Sequence, residues 1–502
     1  MDTSLYTVAQ IRAIEQAAYA TLPPGTLMRR AGEAACAYAL ELMERLPAGP
    51  VLVLAGPGNN GGDALELAAN LVGLGASVDV VHLAGGAPSP EAVAAAARAQ
   101  DSGARFVDTP PAGRRWSLAV DGLFGIGLAR PLAGRARDLA LALGALDCPV
   151  LALDVPSGLD ADTGVVVGPD GVAVHATHTI TFLGNKPGLH TGDGCDLAGR
   201  VHADRLGTEA GPAIAAQAQL SKPSAFAHLL APRRRNTHKG SFGDVAVLGG
   251  ARGMAGAAVL ASRTALHAGA GRVFVAAVDP GMGLDPMQPE IMVRDAQGFA
   301  FAGRTIVAGP GMGTSDAAAH AFGQALDAGG PLLVDADALN LAAASPDLQA
   351  RIAAHQGPAV LTPHPLEAAR LLGVTAPVVQ ADRLENAREL ALRYNAVVVL
   401  KGAGSVIARP DGEVAINTTG NPGLATGGSG DVLSGLIGAL LAQGWPAWEA
   451  ALGGAWLHGA AADRLVAEGV GPIGLTAGEL PVAIRAELNQ LVGTGCPPYV
   501  SG

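Results

Sequence analysis

The sequence predicts an α/β protein of two domains, each with a parallel β-sheet covered by helices on both faces. Short apolar runs alternate with Ala- and Leu-rich helical patterns along all 502 residues. Continuous apolar strands that are separated by helices are typical of parallel sheets buried on both faces. A chain of this length exceeds the usual size of one hydrophobic core, which indicates more than one domain.

The strands fall into two sets, one in each half of the chain. The last two strands of the second set flank "PDG" (410–412), which predicts a hairpin. Residues 208–232 lie between the sets, carry three prolines and lack strand signals. We therefore expect one domain over residues 1–220 and another over residues 221–502. The predicted strands are 51–55, 77–83, 117–121, 150–154 and 178–183, then 244–249, 272–278, 305–309, 332–336, 359–362, 396–401, 405–409 and 413–417.

Composition excludes several classes of function. The net charge is −11 and the longest basic run is "RRR" (233–235), so nucleic-acid binding is not expected. The four cysteines are scattered and form no CxxC pair, which argues against disulfides and a zinc site. No apolar run is long enough to span a bilayer, and the N-terminus lacks the apolar core of a signal peptide. We expect a cytoplasmic protein without a membrane or nucleic-acid partner.

A glycine-rich loop, "AGPGNNGGD" (55–63), joins the first of these strands to a helix. Successive glycines let backbone N–H groups turn toward a ligand, and a helix N-terminus favours an anion there. The loop is neither GxGxxG nor a Walker A sequence, since no GK[ST] follows. The alternative interpretation is a tight turn that only packs the helix on the strand.

Polar side chains follow other strands of the first set. Asp121 and Asp154 end two predicted strands, Ser157 follows the second, and Lys186 lies beyond the next. In an open parallel sheet the carboxyl ends of the strands line the ligand crevice, where Asn60 would join them. Oxygen ligands without soft donors suit a hard cation. Each aspartate alone would be interpreted as a cap or a turn residue, and only the combination favours a site.

Four motifs in order resemble the signature loops of the NAD(P)H-hydrate epimerases. The resemblance covers roughly the first 220 residues and implies a Rossmann-like three-layer αβα domain that uses a potassium ion, K⁺. In the usual motif a glycine follows "NNGGD", whereas here the residue is Ala64. We expect Ala64 to be helical and therefore harmless, because "ALELAANL" is strongly helix-forming. The motifs are "AGPGNNGGD" (55–63), "VDGLFGIGL" (120–128), "LDVPSGLDADTG" (153–164) and "TFLGNKPG" (181–188).

The same resemblance implies a role for individual residues. Asp154 would be the acid/base at the nicotinamide carbon, and Lys186 would position groups or stabilise charge there. Asn60, Asp121 and Ser157 would hold the potassium ion. The residues implied to contact the dinucleotide are Asn59, Asn60, Gly61, Gly62 and Asp63, then Gly125, Ile126, Gly127, Leu128, Ala129, Arg130 and Pro131, and Asp154.

A second glycine-rich segment, "NPGLATGGSGDVLSGL" (421–436), precedes an apolar helix. Backbone amides of "GGSG" at the start of that helix would make an anion hole for a transferring phosphoryl group. Asp431 would lie in the first helical turn, where an ionised carboxylate can accept the proton of an alcohol. The alternative is an aspartate that only caps the helix.

The second half resembles the ADP-dependent NAD(P)H-hydrate dehydratases of the ribokinase-like superfamily, over residues 230–490. The motifs include "VAGPGMG" (307–313), "LTPHPLEAARLL" (361–372) and "LKGAGS" (400–405). In that family ADP phosphorylates the C6 hydroxyl of the hydrated nicotinamide, and phosphate then leaves. Mg²⁺ is expected on the ADP phosphates. The resemblance implies that Lys401, Gly402, Ala403, Gly404, Ser405 and Gly430 bind ADP and that Ala257, Gly311, His364 and Asp431 contact the hydrate, with Asp431 as base.

Together the two resemblances imply a fused enzyme that repairs hydrated nicotinamide coenzymes. The first domain would interconvert the R and S epimers, and the second would dehydrate the S epimer while ADP becomes AMP and phosphate. The expected partners are NADH hydrate, NADPH hydrate, ADP and further copies of the chain in a homo-oligomer. The alternative is a ribokinase-like small-molecule kinase with a non-catalytic N-terminal binding module.

Overall fold

Strands and helices alternate along the residues that the computed structural model describes, 3–85, 88–208 and 214–493. The chain divides into two units between residues 218 and 219. The elements of the first unit are β1 (Ser4–Leu5), α1 (Val8–Tyr19), α2 (Thr26–Met43), β2 (Val51–Ala55), α3 (Asn59–Gly73), β3 (Val78–His82), α4 (Pro90–Asp101), β4 (Arg105–Phe106), β5 (Leu118–Gly122), α5 (Gly134–Gly144), β6 (Val150–Leu153), β7 (His178–Phe182), α6 (Gly194–Leu197) and β8 (Arg200–Asp204).

Seven of these strands form a parallel sheet in the order β4-β3-β2-β5-β6-β7-β8. The chain moves outward in one direction from β2 and in the other from β5, so the order reverses between these two strands. A crevice forms at such a reversal, outside the carboxyl ends of the strands. Leu54 pairs with Asp121 there, which places Asp121 beside the loop that follows β2.

The two faces of this sheet bury alternate residues of each strand. On β2, Val51 and Val53 belong to the core beneath α2, α3 and α4, whereas Leu52 and Leu54 belong to the core beneath α5. Successive side chains of a strand point to opposite faces, so an all-apolar strand is required when both faces are covered. The three-layer αβα arrangement predicted for this part of the chain is confirmed.

The second unit has the same layered construction with more elements. They are β9 (Ala218–Leu220), β10 (Asp244–Gly249), α7 (Ala255–His267), β11 (Arg272–Ala277), β12 (Met292–Asp295), β13 (Thr305–Ala308), α8 (Asp316–Asp327), β14 (Leu332–Val334), α9 (Ala336–Ala344), α10 (Pro346–Ala353), β15 (Ala359–Leu361), α11 (Pro365–Leu372), α12 (Ala376–Ala381), α13 (Arg383–Tyr394), β16 (Val397–Leu400), β17 (Val406–Ala408), β18 (Val414–Ile416), α14 (Ser429–Ala442), α15 (Ala447–Ala467) and α16 (Leu480–Gly493).

In this unit the strand order is β9-β18-β17-β16-β15-β14-β13-β10-β11-β12. The strands from β16 to β12 are parallel, and β17 and β18 form the antiparallel hairpin predicted around "PDG". Helices α7, α14 and α15 cover one face through a continuous apolar core. The order reverses between β10 and β13, so a second crevice is expected near the carboxyl ends of these strands.

Strand β9 corrects one expectation. Residues 208–232 were predicted to lack a strand, but β9 lies within them, and the backbone N–H of Ser221 donates to the carbonyl of Ile416 at 2.9 Å. Three residues are too few to establish an alternating pattern, so the pairing partner decides the conformation. Among the described residues, no helix is both long and apolar enough to cross a bilayer.

Helix α3 lies so close to strand β2 that it offers a test of the packing. A Cβ at Gly61 would collide with the carbonyl oxygen of Gly56, whereas a Cβ at Gly73, in the same helix, would meet nothing within 4 Å. We expect Gly61→Ala to lower the free energy of unfolding by about 2 kcal/mol. Gly73→Ala should raise it by roughly 0.5–1 kcal/mol, because alanine loses less conformational entropy in a helix. Urea unfolding of both variants checks the pair, and equal midpoints would contradict the packing.

Candidate functional site

A pocket of about 440 Å³ lies where the strand order of the first sheet reverses. Its walls come from α1 and α2, from the loop and first turn after β2, and from the loop after β5. Asp154 reaches it from the end of β6. The structure thus brings together the following predicted site residues along the pocket: Asn59, Asn60, Asp63, Gly125, Ile126, Gly127, Leu128 and Asp154.

Other predicted contact residues of these loops lie outside the pocket lining. Gly61 and Gly62 are buried against Gly56 and Met28, and they allow close packing. The outer part of the second loop is exposed, including Ala129, Arg130 and Pro131. Ala64 is helical, as expected, and it is fully buried. Its methyl group fits because Gly122, which lies against it, has no side chain.

Asp154 is held by a buried ammonium. Lys186 Nζ donates to Asp154 Oδ1 at 2.5 Å and to Thr181 Oγ1 at 2.6 Å, and the Lys186 side chain is 0% exposed. The backbone carbonyls of Phe182 and Gly184 accept from the same ammonium at 2.9 and 3.2 Å. Asp154 has φ +67°, a left-handed conformation that few residues other than glycine adopt. Lys186 is therefore the counter-ion of Asp154 and is not among the residues that line the pocket.

The Asp154 carboxylate also faces the loop after β5. Its second oxygen, Oδ2, accepts from the backbone N–H of Ile126 at 3.3 Å. A Cβ at Gly125 would lie 2.8 Å from that oxygen and 3.4 Å from Asn60 Oδ1. Glycine at position 125 is therefore required for the carboxylate and the amide to approach the loop from both sides.

Asp121 and Ser157 form a second polar group beneath this loop, and the side chain of Asn60 lies beside the loop at Gly125. Ser157 Oγ lies 2.7 Å from Asp121 Oδ1, the Ser157 N–H donates to Oδ2 at 2.8 Å, and the N–H of Leu123 donates to Oδ1 at 3.2 Å. Burial raises the pKa of Asp121 to about 6, although these hydrogen bonds oppose the shift. Asn60 is buried with both side-chain polar atoms unpartnered among the described residues.

This arrangement fits a bound cation. A buried carboxylate that is hydrogen-bonded only to neutral groups lacks a counter-charge, and a buried amide oxygen without a donor lacks a partner. One hard cation would satisfy both, and every oxygen in the set is of the type such cations prefer. In the part of the chain described, no cluster of three or more His, Cys, Asp or Glu could hold a metal ion.

Asp63 is a further acid of this pocket. Burial, reinforced by the charges of Asp154 and Glu15, raises the pKa of Asp63 well above its ordinary value. Glu15 and Tyr19 of α1 also line the pocket, and sequence reasoning did not select either. Their signal is weak, because charged and aromatic residues of an amphipathic helix are usually placed on its solvated face.

The second site lies at the start of α14. Gly428 is its N-cap, with φ +95°, and Asp431 falls in the first turn as predicted. Among the described residues none donates a hydrogen bond to the Asp431 carboxylate, so it is available to a ligand. Burial, followed by the charge of Asp335, raises the pKa of Asp431 to about 7, although Lys401 opposes the shift. A carboxylate with this pKa is suited to general-base chemistry near neutral pH.

Lys401 approaches the same helical turn from the end of β16. Its Nζ donates to Asp335 Oδ1 at 2.6 Å and lies 4.0 Å from Glu367 Oε2. A Cβ at Gly430 would be 3.5 Å from this Nζ, which places the ammonium beside the predicted phosphate cradle. Lys401, Gly430 and Asp431 are thus brought together. Asp335 and Glu367 were not selected from the sequence.

The predicted nucleotide loop after β16 is a tight turn. Ser405 Oγ lies 3.3 Å from the backbone N of Gly402 and donates to its carbonyl at 3.0 Å, while Gly402 and Gly404 have φ of +145° and +59°. The buried guanidinium of Arg383 donates to the carbonyls of Leu400 and Lys401 at 3.1 and 3.3 Å and fixes the turn from below. Ala403 is exposed at its tip.

His364 begins helix α11 as a cap. Its Nδ1 accepts from the backbone N–H groups of Leu366 and Glu367 at 3.1 and 3.3 Å, while the backbone N–H of His364 donates to Glu367 Oε2 at 2.8 Å. Burial, followed by the charge of Lys401, lowers the pKa of His364, so the ring is neutral with Nδ1 as acceptor. The imidazole is nearly half exposed, and its Nε2 lies 3.3 Å from Glu367 Oε1, so Glu367 faces the ring as well as the backbone.

Gly311 and Ala257 meet at the strand reversal of the second sheet. Gly311 has φ +55°, and a Cβ there would lie 3.1 Å from the Cβ of Ala257. Two residues further on, the N–H of Gly313 donates to Asp337 Oδ2 at 2.8 Å. Asp337 is among the charges that raise the pKa of Asp431, so this loop belongs to the same crevice.

The fold is an α/β fold of two units, and each unit has a candidate site with a carboxylate at a strand or helix end. A family model described as NAD(P)H-hydrate dehydratase matches residues 245–481, and one described as YjeF-related protein N-terminus matches residues 24–188. The bifunctional NAD(P)H-hydrate repair enzyme Nnr of Escherichia coli K12 is 38% identical over 93% of this chain and 90% of its own length. The enzyme of the same name from Coxiella burnetii is 38% identical over 97% of this chain and 100% of its own.

The chain belongs to the family of bifunctional NAD(P)H-hydrate repair enzymes. The predicted pairing of an epimerase with an ADP-dependent dehydratase is confirmed, and a kinase with a non-catalytic module is not favoured. Among solved structures, the chain is also similar to the ADP/ATP-dependent NAD(P)H-hydrate dehydratase from Bacillus subtilis co-crystallised with ATP and Mg²⁺. That likeness has 32% identity and a TM-score of 0.48, and it covers 54% of this chain and 98% of the other.

The buried ion pair beneath the first pocket offers a stability test. Lys186→Met removes the ammonium and leaves the Asp154 carboxylate, which is 13% exposed, without its cation. We expect this change to lower the free energy of unfolding by roughly 3–5 kcal/mol, since an unpaired buried charge is strongly destabilising. In the double variant Lys186→Met/Asp154→Asn neither charge is present, so the loss should be smaller than for Lys186→Met alone. Urea unfolding measures the free energy of unfolding of each variant. If the loss in the double variant equals the sum of the losses in the two single variants, the pairing is contradicted.

Proposed function

We propose that the unit over residues 1–220 is the epimerase and that the unit over residues 221–502 is the dehydratase, with Asp154 and Asp431 as the respective acid–base groups. For the epimerase, the supporting observation is the Asp154 carboxylate on the wall of the pocket, anchored at 2.5 Å by buried Lys186. For the dehydratase, it is the unengaged carboxylate of Asp431 beside Lys401 at the start of α14.

Epimerisation requires the configuration at C6 of the hydrated ring to be lost and regained. Asp154 gives a proton to the C6 hydroxyl, which departs as water while the ring nitrogen supplies electrons and C6 becomes planar. Water then adds to either face of C6 and returns a proton to Asp154. Lys186 holds the carboxylate in one orientation through both steps. Asn59, Asn60, Asp63 and the loop from Gly125 to Leu128 line the space that the dinucleotide would fill.

Dehydration of the S epimer uses ADP to convert the hydroxyl into a better leaving group. Asp431 accepts the proton of the C6 hydroxyl, whose oxygen bonds to the β-phosphorus of ADP as the bond to AMP breaks. The ring nitrogen then expels phosphate from C6, and loss of a proton from C5 restores the double bond. Amides of the first turn of α14 and the Lys401 ammonium face the phosphoryl group, where they stabilise developing charge. The Gly402–Ser405 turn would hold the rest of the phosphate chain.

The two active sites can be separated by one pair of variants. With a mixture of R and S hydrate and ADP, the wild type should repair both epimers, whereas Asp154→Asn should repair only the S fraction and then stop. Asp431→Asn should still interconvert the epimers but form NAD(P)H roughly 10²–10⁴-fold more slowly. The absorbance of reduced nicotinamide and chiral separation of the hydrates give the readouts.

Matched aspartates provide controls for this experiment. Asp138→Asn alters an exposed helical residue of the first unit, and Asp316→Asn alters an exposed aspartate in the first turn of α8. Both should retain both activities. Complete repair of the mixture by Asp154→Asn would contradict the assignment of the first site, and normal turnover by Asp431→Asn would contradict the second.

We assign K⁺ to the group formed by Asn60, Asp121 and Ser157 in the first unit. The unpartnered amide oxygen of Asn60 and the uncompensated carboxylate of Asp121 support a monovalent ion there. Such an ion would fix the loop after β5 and supply charge compensation beneath the pocket. Mg²⁺ is assigned to the phosphates of ADP, whose oxygens are its usual ligands.

Potassium binding predicts a salt-specific gain in stability. Replacing K⁺ by tetramethylammonium at equal ionic strength should lower the thermal midpoint and the epimerase rate of the wild type. Asn60→Ala should abolish this difference, because it removes one ligand of the ion. Thermal scans in both salts check the effect, with Asn70→Ala as a control on the same helix. A wild-type midpoint that is identical in both salts would contradict the site.

The remaining proposals concern the setting of the enzyme. We propose a cytoplasmic homo-oligomer that acts on both NADH hydrate and NADPH hydrate. The net charge of −11 supports the absence of a nucleic-acid partner, and the scattered cysteines support a reducing compartment. Size-exclusion chromatography with light scattering measures the oligomeric state directly.

A further inference from the structure

Asp335 connects three elements of the second unit through one carboxylate. It follows β14, occupies the N-cap position of α9 without a side-chain capping bond, and is 1% exposed. Its Oδ1 accepts from Lys401 Nζ at 2.6 Å, and its Oδ2 accepts from Ser434 Oγ at 2.6 Å. Lys401 follows β16 and Ser434 lies on α14. Both carboxylate oxygens are therefore engaged, and each joins Asp335 to an element that carries a proposed site residue.

The ammonium that Asp335 holds is directed at the phosphate cradle. The position of a Cβ at Gly430 is 3.5 Å from Lys401 Nζ and 4.0 Å from Asp335 Oδ2. Ser434 lies four residues after Gly430, so it is on the same side of α14, one turn further from the cradle. Asp335 thus fixes the distance between the lysine and the first helical turn by bonding to both.

Lys401 stays charged in this environment. Burial works against its positive charge, but the carboxylates of Asp335 and Glu367 outweigh it and raise the pKa of Lys401. A side chain of this length has several rotatable bonds and would lose much of its orientation without a fixed partner. The observed hydrogen bond of 2.6 Å supplies that partner.

We propose that Asp335 is a positioning residue of the dehydratase, which holds the Lys401 ammonium against the first turn of α14. The inference depends on the proposed function, in which Asp431 accepts the C6 hydroxyl proton beside that turn. Asp335 itself touches neither reacting atom. It acts through Lys401 by a hydrogen bond and on Asp431 by its charge.

The charge of Asp335 gives this role a pH signature. Asp431 is faced by Asp335 and Asp337 at the start of α9, by Glu367 of α11 and by Lys401 after β16. Burial and then Asp335 raise the pKa of Asp431 to about 7. Because the base acts when ionised, dehydration should rise with pH through about 7 in the wild type. Loss of the negative charge at Asp335 makes ionisation of Asp431 easier, so the rise should move to lower pH.

The test is the pH profile of ADP-dependent dehydration by full-length Asp335→Asn. We expect kcat to fall about tenfold to a hundredfold, because Lys401 loses its fixed position. We also expect the acidic limb of kcat to move down by about one pH unit, because a neighbouring like charge is lost. The epimerase rate of the same chain should be unchanged and provides the internal measure of folded protein.

Two further variants complete the experiment. Ser434→Ala removes one hydrogen bond but no charge, so its acidic limb should coincide with that of the wild type. Asp335→Glu keeps the charge but displaces it, so it should lower kcat without moving the limb, and it carries the test if Asp335→Asn does not fold. A wild-type profile and kcat in Asp335→Asn, or a wild-type kcat in Asp335→Glu, would overturn the inference. Absence of ADP-dependent dehydration in the wild type would instead overturn the proposed function.

Discussion

A carboxylate paired with a lysine ammonium is the interaction on which both sites depend. In the first unit Lys186 lies 2.5 Å from Asp154, and in the second Lys401 lies 2.6 Å from Asp335. In each case the aspartate directly follows a parallel strand, and the lysine follows another strand of the same sheet. A charge at such a position is costly without a partner, so each pair fixes the loops that carry it.

The pairs serve different ends because their surroundings differ. Asp154 faces the pocket and keeps one oxygen toward the loop after β5, so the paired acid is itself available for chemistry. Asp335 uses both oxygens inside the protein, and the available acid is its neighbour Asp431. The same interaction therefore orients a reacting group in one unit and supports reacting groups in the other.

Much of the fold could be predicted from the sequence, since continuous apolar strands between helical patterns permit few architectures. The short strands β4, β9 and β12 could not, because two to four residues carry no period and pairing decides their conformation. Of the sites, the glycine loops and their aspartates were found because their spacing follows strand ends. Asp335 and Glu367 were missed, as nothing in "LLVDADALN" or "HPLEAA" separates a buried, paired acid from a cap.

The roles of some predicted residues also changed once neighbours were known. Gly61 and Gly62 were expected to contact a dinucleotide, but in the structure their lack of a side chain allows close packing. Contact of their backbone with the dinucleotide stays a prediction. His364 was expected to meet substrate, and the structure gives it a capping function as well. A one-dimensional pattern identifies which loops matter more readily than which side of each loop faces the ligand.

The left-handed backbone at Asp154 is a strain that the first unit tolerates at the edge of its pocket. An L-residue held there costs roughly 1 kcal/mol more than glycine, whether or not substrate is present. Glycine at that turn would relieve the strain, but it would also leave the ammonium of Lys186 buried without its partner, which is the larger loss. The contact that neutralises the carboxylate therefore also keeps the chain in the conformation that turns this side chain toward the pocket.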